Sequence, residues 1–276
     1  LRKVDIEDLM VKIYEVFPES QRKQFLSNIY RAISCVLNKY AFGGDITQEF
    51  NGPETMFKTL LNDDRLIKND FFITLNYDLY LDREIYSISK NIDYGLDKSL
   101  AYWTSGLSSN PIQEYSIYHL HGSLNWFFQP DNKIAIRNQS MTPTFNRDGP
   151  NLCLLPPGKK VPNPILAHIG KIAEERLLNA DELIIIGCSL NSNDHELIKM
   201  VSKFIEKKGL NKIKIIYHTD NIHGFSIKTK SNQKSFENPY KHLGDLDTSQ
   251  FYPFGFKLVG PTDAPKYGAI EYIFNE

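Results

Sequence analysis

This sequence has few cysteines, a net charge near zero and no long apolar run. The cysteines Cys35, Cys153 and Cys188 are far apart and form no C-x-x-C pair, which argues against a disulfide framework and against a structural zinc site. Lys and Arg number 32 against 33 Asp and Glu, so charge gives no reason to expect nucleic acid or an anionic membrane as partner. No apolar run matches a transmembrane helix and no signal peptide is visible, so we expect a cytoplasmic protein.

The stretch FFITLNYDLYLDREIY organises the remaining sequence. Phe71 to Thr74 are apolar or β-favouring residues that predict a short strand buried on both faces. The polar residues Asn76, Tyr77 and Asp78 end this strand, and the apolar spacing after them is compatible with a helix. Open α/β sheets bind their ligands where a strand ends before a helix.

The segments after this stretch predict a loop, a hairpin and a helix. Residues 91–111 are rich in Gly, Ser and Asn and predict a loop. Residues 123–128 and 133–136 predict a β-hairpin, and the proline-rich residues 139–164 predict an irregular segment. The apolar periodicity of residues 164–179 predicts a helix.

The clearest unit is a strand, a helix and a second strand in about 35 residues, a length typical of βαβ units. The three elements are predicted at residues 183–186, 194–207 and 212–217. Asn193 and Glu196 have the spacing of a capping box. Because a helical crossover joins parallel strands, this unit indicates an α/β protein with a parallel sheet.

The two ends of the chain are predicted to differ in character. Helical spacing of apolar residues predicts a mainly helical part up to residue 69. Residues 218–250 are polar and predict a long excursion, after which 257–260 and 270–274 are candidate edge strands.

Two histidines lie at the end of the predicted strand 116–120, His119 within it and His121 directly after it. A histidine titrates near neutral pH, so His121 can accept a proton from a hydroxyl group or a water, and Gly122 would let a substrate approach the backbone. A structural histidine satisfied by a backbone hydrogen bond is the alternative. His119 and His121 would also face the same side of a regular strand, which suggests a metal site, but no third ligand has convincing spacing.

Two further strand ends have both a functional and a structural interpretation. Gly187 and Ser189 follow the buried strand 183–186 and precede a helix N-terminus, where a phosphate can bind. A tight, capped turn is the alternative. Asn76 and Asp78 can meet a ribose or a carboxamide, or they can cap the next helix.

The segments ITLNYD, YHLHGSLNW and IIIGCSLNSND, in this order, resemble the sirtuin-like family of bacterial NAD-consuming domains, as does LLPPGKK. The resemblance covers roughly residues 70–220. It implies an α/β fold with a Rossmann-like, doubly wound and mostly parallel sheet, helices on both faces, and a helical N-terminal or inserted region. We therefore expect one domain over residues 1–276, with a helical part at 1–69, the Rossmann-like core at 70–220, and the excursion with edge strands at 221–276.

The resemblance also implies the site residues. His121 matches the catalytic histidine, Asn76 the residue that holds a water near the nicotinamide ribose, and Asp78 the adjacent acidic position. Contacts to NAD are implied for Thr74, Asn76, Gly122, Ser123, Gly187, Ser189 and Leu190.

Two departures from the family pattern shape the predicted activity. The chain cannot form the four-cysteine zinc ribbon of sirtuin deacylases, which favours hydrolysis of NAD, as in prokaryotic antiphage defence proteins. Before Phe71 there is also no strand followed by the family's Gly-Ala-Gly loop, since Gly43 and Gly44 follow a predicted helix. We expect that loop either to lie before Leu1 or to be missing, in which case NAD would bind poorly.

The predicted function is therefore an NAD glycohydrolase that uses NAD as substrate and needs no metal. The alternatives are a catalytically impaired domain that binds NAD or ADP-ribose as a sensor or scaffold, and an NAD-dependent deacylase. The expected partner is NAD or ADP-ribose, without nucleic acid or membrane. A homo-oligomer and a fused or partner sensor domain both stay open.

Overall fold

The computed structural model divides the chain into two compact units. Unit 1 comprises Leu1–Gly52 and Leu61–Ala173, and unit 2 comprises Pro53–Leu60 and Glu174–Glu276. The structure describes residues 12–13, 15–18, 20–22, 25, 28–29, 70–79, 81–82, 85–86, 92–97, 99–103, 115–131, 133–136, 152–154, 164–188, 190, 194–218, 243 and 251–254.

The first sheet of unit 1 has three strands, all parallel. Strands β1 (Phe71–Thr74), β2 (Ile92–Asp93) and β4 (Tyr115–His119) lie in the order β1-β4-β2. The central strand β4 is buried along its whole length, whereas the four residues of β1 are only half-buried. The predicted strands at 71–74 and 116–120 are thus confirmed, but β1 is not fully buried.

The second sheet of unit 1 is mixed. Strands β3 (Ala101–Trp103), β5 (Gly122–Phe128), β6 (Ile134–Ile136) and β7 (Leu152–Leu154) lie in the order β3-β6-β5-β7. Strands β5 and β6 form the predicted antiparallel hairpin, β7 also pairs with β5 antiparallel, and β3 pairs with β6 parallel. Short strands therefore occur in the two segments predicted as loop and irregular, 91–111 and 139–164, because pairing with β4, β5 and β6 supplies hydrogen bonds that no local pattern reveals.

Gly122 forms the corner between the two sheets. Strand β4 ends at His119, and β5 begins at Gly122 after a two-residue turn. Gly122 has a φ of +86°, a backbone conformation that residues with a Cβ rarely adopt. The glycine therefore lets the chain leave the first sheet and enter the second within a few residues.

Part of the N-terminal helical region packs on the second sheet. A buried cluster in unit 1 contains Ile13, Leu79, Leu124, Phe127 and Ala135. The half-buried side chains of Phe17, Ile29 and Tyr77 pack against it. Residues 30–69 of the part predicted to be mainly helical lie outside the described residues.

Helix α1 (Pro164–Asn179) is confirmed with the predicted bounds, and it contributes residues to both units. One side of the helix is buried, as the periodicity predicted. The buried residues are Ile165, Leu166, Ile169, Ala173 and Leu177.

Unit 2 contains the predicted βαβ unit. Strand β8 (Leu183–Ile186) pairs in parallel with β9 (Ile213–His218), and helix α2 (His195–Lys208) connects them, followed by a short 3-10 helix, Leu210–Lys212. Strand β10 (Phe251–Phe254) adds a third parallel strand beside β9. The structure is thus mixed α/β with parallel strands, consistent with a Rossmann-like fold, while the doubly wound arrangement stays a prediction.

Two predictions in unit 2 need correction or stay untested. The capping box at Asn193 and Glu196 is wrong, because Asp194 is the N-cap residue and the structure describes no side-chain cap hydrogen bond from it. The described C-terminal strand is β10, earlier than either candidate, and it carries Pro253, a residue tolerated in strands mainly at sheet edges. The candidates 257–260 and 270–274 lie outside the described residues.

Candidate active site

The carboxyl ends of β1 and β4 lie side by side. The two strands are parallel, and Thr74 pairs with His119 in register. Asn76 and His121 each follow their paired residue by two positions. The first two motifs of the predicted site are therefore brought together at one edge of the first sheet, where open α/β sheets bind ligands.

Backbone hydrogen bonds extend this pairing beyond the strands. The amide of Leu120 donates to the Thr74 carbonyl at 3.1 Å, and the amide of Leu124 donates to the Tyr77 carbonyl at 3.0 Å. The Asn76 amide donates to Oγ1 of Thr74 at 3.1 Å. The segment that carries Asn76 is thus held against the turn that carries His121.

His119 forms the centre of a buried polar cluster with Asp82 and Tyr94. The exposed fraction is 1 % for His119 and 0 % for Asp82. Nε2 of His119 lies 3.1 Å from Oδ1 and 3.2 Å from Oδ2 of Asp82, and the Tyr94 hydroxyl donates to Oδ1 at 2.6 Å. On its other side, Nδ1 of His119 lies 3.2 Å from the Asn76 carbonyl oxygen.

Opposing influences act on the protonation of His119. Burial is the largest of them and disfavours the imidazolium. The charge of Asp82, the hydrogen bonds to Asp82 and to the Asn76 carbonyl, and the charge of Asp78 act in the other direction and together raise the pKa of His119 above its usual value.

Aromatic rings enclose the His119 imidazole on its remaining sides. The ring centroid of His119 lies 5.5 Å from that of Trp126 and 5.8 Å from that of Tyr94, and these two aromatic rings meet edge to face at 5.4 Å. Trp126 is fully buried. His119 is therefore a structural residue of the protein interior, inaccessible to a substrate.

The three predicted catalytic residues are accessible, in contrast to His119. Asn76 is exposed, and Asp78 and His121 are half-buried. The His121 ring lies with its centroid 6.3 Å from that of Tyr77. Asn76, Asp78 and His121 thus lie on neighbouring segments and can all meet a ligand from solvent.

Several predicted NAD contacts in unit 1 have structural partners of their own. Ser123 is fully buried, and its hydroxyl donates to Oδ1 of Asn125 at 2.8 Å. The Thr74 hydroxyl accepts the Asn76 amide. The Thr74 hydroxyl thus holds the segment that carries Asn76, and Ser123 lies in β5 directly after Gly122, which forms the corner between the two sheets. Their direct contact with NAD stays a prediction.

The predicted nucleotide-binding turn lies in unit 2, directly after β8. Gly187 has a φ of +61°, and a Cβ built on it meets no atom of the described residues within 4 Å. Leu190 is buried with a φ of +47°, a strained conformation for a residue with a side chain. Ser189 lies outside the described residues. Burial raises the pKa of the neighbouring Cys188 thiol.

The described part of the chain contains no group of three or more His, Cys, Asp or Glu side chains placed to hold a metal ion. Strand β4 also ends at His119, so His119 and His121 do not share one face of a regular strand. No described helix has both the length and the apolar character needed to span a membrane.

The residues of the buried cluster that the sequence did not predict are Asp82 and Tyr94. Asp82 lies between the buried residues Leu81 and Ile85, on a segment whose apolar spacing predicted a helix. A carboxylate within an apolar stripe is the signal that indicates a buried polar partner, because carboxylates are almost never fully buried unless paired. The sequence carries no local signal that the partner is His119.

Comparison with known proteins shows the family of the chain. A search of curated proteins gives no match. A family model described as SIR2-like domain matches residues 70–240, more than half of the 276-residue chain. The matched range contains all the predicted site residues. A SIR2-like domain fits an NAD-related function. The chain belongs to the family of SIR2-like domains.

Proposed function

We propose that this protein is an NAD glycohydrolase, which cleaves the bond between nicotinamide and ribose and releases nicotinamide and ADP-ribose. The observation that carries the proposal is the in-register pairing of β1 and β4, after which Asn76 and His121 follow at equivalent positions. Both side chains are accessible, whereas the nearby His119 is buried. Membership of the SIR2-like domain family supports NAD as the substrate.

The chemistry to be performed sets the roles of these residues. Water attacks the ribose carbon as the bond to nicotinamide breaks, so NAD and water give nicotinamide, ADP-ribose and one proton. The transition state carries positive charge on the ribose, which a nearby carboxylate stabilises. His121 acts as the base toward a ribose hydroxyl or the attacking water, and Asn76 orients that water. Asp78 holds the nicotinamide end or supports the developing charge.

The residues of unit 1 fit a ribose and a carboxamide by their chemistry. Amide, imidazole and carboxylate groups supply both donors and acceptors for hydroxyl and amide groups. Gly122, at the corner beside His121, lets the backbone be approached closely. In unit 2, a Cβ built on Gly187 at the end of β8 meets no atom of the described residues within 4 Å, which supports the assignment of Gly187 to the nucleotide, together with Ser189 and Leu190.

A nucleotide sensor without turnover is the second candidate function. The sequence before Phe71 contains Gly43, Gly44 and Gly52 but no Gly-x-Gly pattern, so the glycine loop that usually receives a pyrophosphate is not among these residues. Such a domain would bind ADP-ribose or NAD through the same residues of the site. It would release no nicotinamide.

Nicotinamide release from NAD by the purified chain tests the proposal, and calorimetry with ADP-ribose tests the second candidate. Release of nicotinamide and ADP-ribose in equal amounts is the result that we expect. Binding of ADP-ribose without any release would instead establish the sensor. An acyl-lysine peptide in the same assay tests deacylation, and consumption of the peptide in step with NAD would contradict simple hydrolysis.

The biological setting belongs to the same proposal. The lack of a four-cysteine zinc ribbon and the segment LLPPGKK support a place among the prokaryotic antiphage defence proteins, acting in the cytoplasm. Loss of cellular NAD on expression of the wild-type chain, and not of an inactive variant, is the expected consequence.

A further inference from the structure

Both ring nitrogens of His119 face groups that accept hydrogen bonds. Nδ1 faces the Asn76 backbone carbonyl, which has no proton to donate. Nε2 faces both oxygens of the Asp82 carboxylate. A neutral imidazole carries one N–H and satisfies only one of these partners, whereas an imidazolium donates to both.

Tyr94 reinforces this assignment of protons. Its hydroxyl donates to Oδ1 of Asp82 at 2.6 Å, the same oxygen that lies 3.1 Å from the His119 ring. An ionised carboxylate has only acceptor sites, and it is well satisfied by a phenol O–H and an imidazolium N–H. The buried pair is therefore best satisfied as an imidazolium and a carboxylate.

The titratable residues described around His119 are Asp82, Tyr94 and Asp78. Asp78 and Asp82 both come from the segment after β1, and Tyr94 is the residue after β2. Strand β5 contributes the uncharged ring of Trp126. Of the charged residues described here, Asp82 favours the imidazolium most strongly and Asp78 more weakly, while burial opposes it.

We propose that His119 is a positioning residue for the cleavage of NAD, and that its imidazolium holds the Asn76–Asp78 segment in place by donating to the Asn76 carbonyl. The proposal rests on the proposed function for its catalytic consequence. His119 is buried and touches no substrate, so it acts through Asn76. When the imidazolium loses its proton, it can no longer donate to both the carbonyl and the carboxylate. The remaining proton stays on Nε2, because a lone pair there would be repelled by the negatively charged Asp82 carboxylate, so the Asn76 carbonyl loses its hydrogen bond from His119 of β4.

Titration of the full chain, labelled at the histidine ring nitrogens, tests the structural part without any turnover. Spectra that distinguish imidazolium from each neutral tautomer are recorded between about pH 5 and about pH 9. We expect His119 to be an imidazolium at neutral pH, and the backbone amides of Asn76 and Tyr77 to shift with the same midpoint as the ring. A neutral imidazole at neutral pH, or amides that do not follow the ring, would overturn the proposal.

Asp82→Asn is the variant that separates positioning from mere support of the fold. The introduced amide can donate to Nε2 of a neutral imidazole and still accept from Tyr94, so Nδ1–H remains free to donate to the Asn76 carbonyl. We expect the His119 midpoint to fall by at least one pH unit, since the neighbouring negative charge is gone. The amides of Asn76 and Tyr77 should keep the positions that they have in the wild type at neutral pH.

The kinetic part compares the alkaline limb of the pH profile in the two proteins. In the wild type, kcat for nicotinamide release should fall about tenfold or more as His119 deprotonates, with a smaller change in KM, because a displaced Asn76 orients water poorly. In Asp82→Asn that limb should disappear, whatever the absolute rate. An unchanged limb in Asp82→Asn would contradict the proposal. Absence of turnover in the wild type would contradict the proposed function alone, because the titration still decides the protonation of His119.

Discussion

His119 and Asp82 form a buried pair in which Nε2 of the imidazole lies 3.1 Å from Oδ1 of the carboxylate, although the two residues are 37 positions apart in the sequence. The pair joins the central strand β4 to the segment that follows β1. It therefore connects the two strands whose ends carry Asn76 and His121.

The first prediction concerns how stability depends on pH. The pKa of His119 is raised in the folded protein, so the folded state binds more protons than the unfolded state above the unfolded pKa of about 6.5. The contribution of His119 to the free energy of unfolding is complete below about pH 6.5, and it is lost as pH rises through the pKa of His119 in the folded protein. The free energy of unfolding should therefore fall with pH, with a maximal slope of about 1.4 kcal/mol per pH unit. Urea unfolding of wild type and Asp82→Asn at several pH values measures this slope, which should be absent from the variant. Parallel slopes in the two proteins would contradict the pairing.

Tyr94→Phe tests the hydroxyl that shares the Asp82 carboxylate. The variant keeps the aromatic ring beside His119 and Trp126 but removes the hydrogen bond of 2.6 Å. Because the acceptor is a buried charged group, we expect a loss of about 1.5–3 kcal/mol in unfolding free energy. Tyr102→Phe, at an exposed tyrosine, is the matched control and should change stability by about 0.5 kcal/mol or less. Equal effects at the two positions would argue against the buried cluster.

Gly95→Ala tests the turn that places Tyr94. Gly95 has a φ of +69°, its amide donates to Oδ1 of Asp93 at 2.8 Å, and an added Cβ would lie 2.9 Å from Cε1 of the buried Tyr118. Strain and crowding together predict a loss of about 1–3 kcal/mol. Gly170→Ala is the control, because a Cβ there meets no atom of the described residues within 4 Å and alanine favours the helix by about 0.5–1 kcal/mol. The midpoint temperature of thermal unfolding should fall in Gly95→Ala and rise in Gly170→Ala. A shift of both midpoints in the same direction would contradict this view of the turn.

Asn76→Ala separates catalysis from stability. The Asn76 amide donates to Oγ1 of Thr74 and its carbonyl faces Nδ1 of His119, so the substitution keeps both backbone contacts, and the Asn76 side chain is exposed. We expect unfolding free energy to change by about 0.5 kcal/mol or less, while kcat for nicotinamide release falls about 100-fold through loss of the oriented water. A large loss of stability, or an unchanged kcat, would be the contrary result.

The sequence predicted well the elements whose signal is local. Helix α1 and strand β8 have the predicted bounds, and strands β8 and β9 pair in parallel as the βαβ pattern indicated. Strands β2 and β7 escaped prediction because two or three residues carry no periodicity, and only pairing with β4 and β5 makes them strands.

The candidate site could be predicted only in part, for a similar reason. Motif resemblance drew attention to Asn76 and His121, and parallel pairing explains why they come together. The burial of His119 rather than His121 depends on where β4 ends and on the corner at Gly122, which alternation along a strand does not reveal. Asp82 and Tyr94 meet His119 through three-dimensional packing alone.

The measurement that tests the account most directly is nicotinamide release from NAD by His121→Ala, beside wild type and the matched control His168→Ala on helix α1. Circular dichroism of the three proteins establishes that each is folded. We expect wild type and His168→Ala to release nicotinamide at similar rates, and His121→Ala to lose at least about 100-fold in kcat, as expected for removal of a general base. A folded His121→Ala protein that releases nicotinamide at the wild-type rate would contradict the assignment of the site.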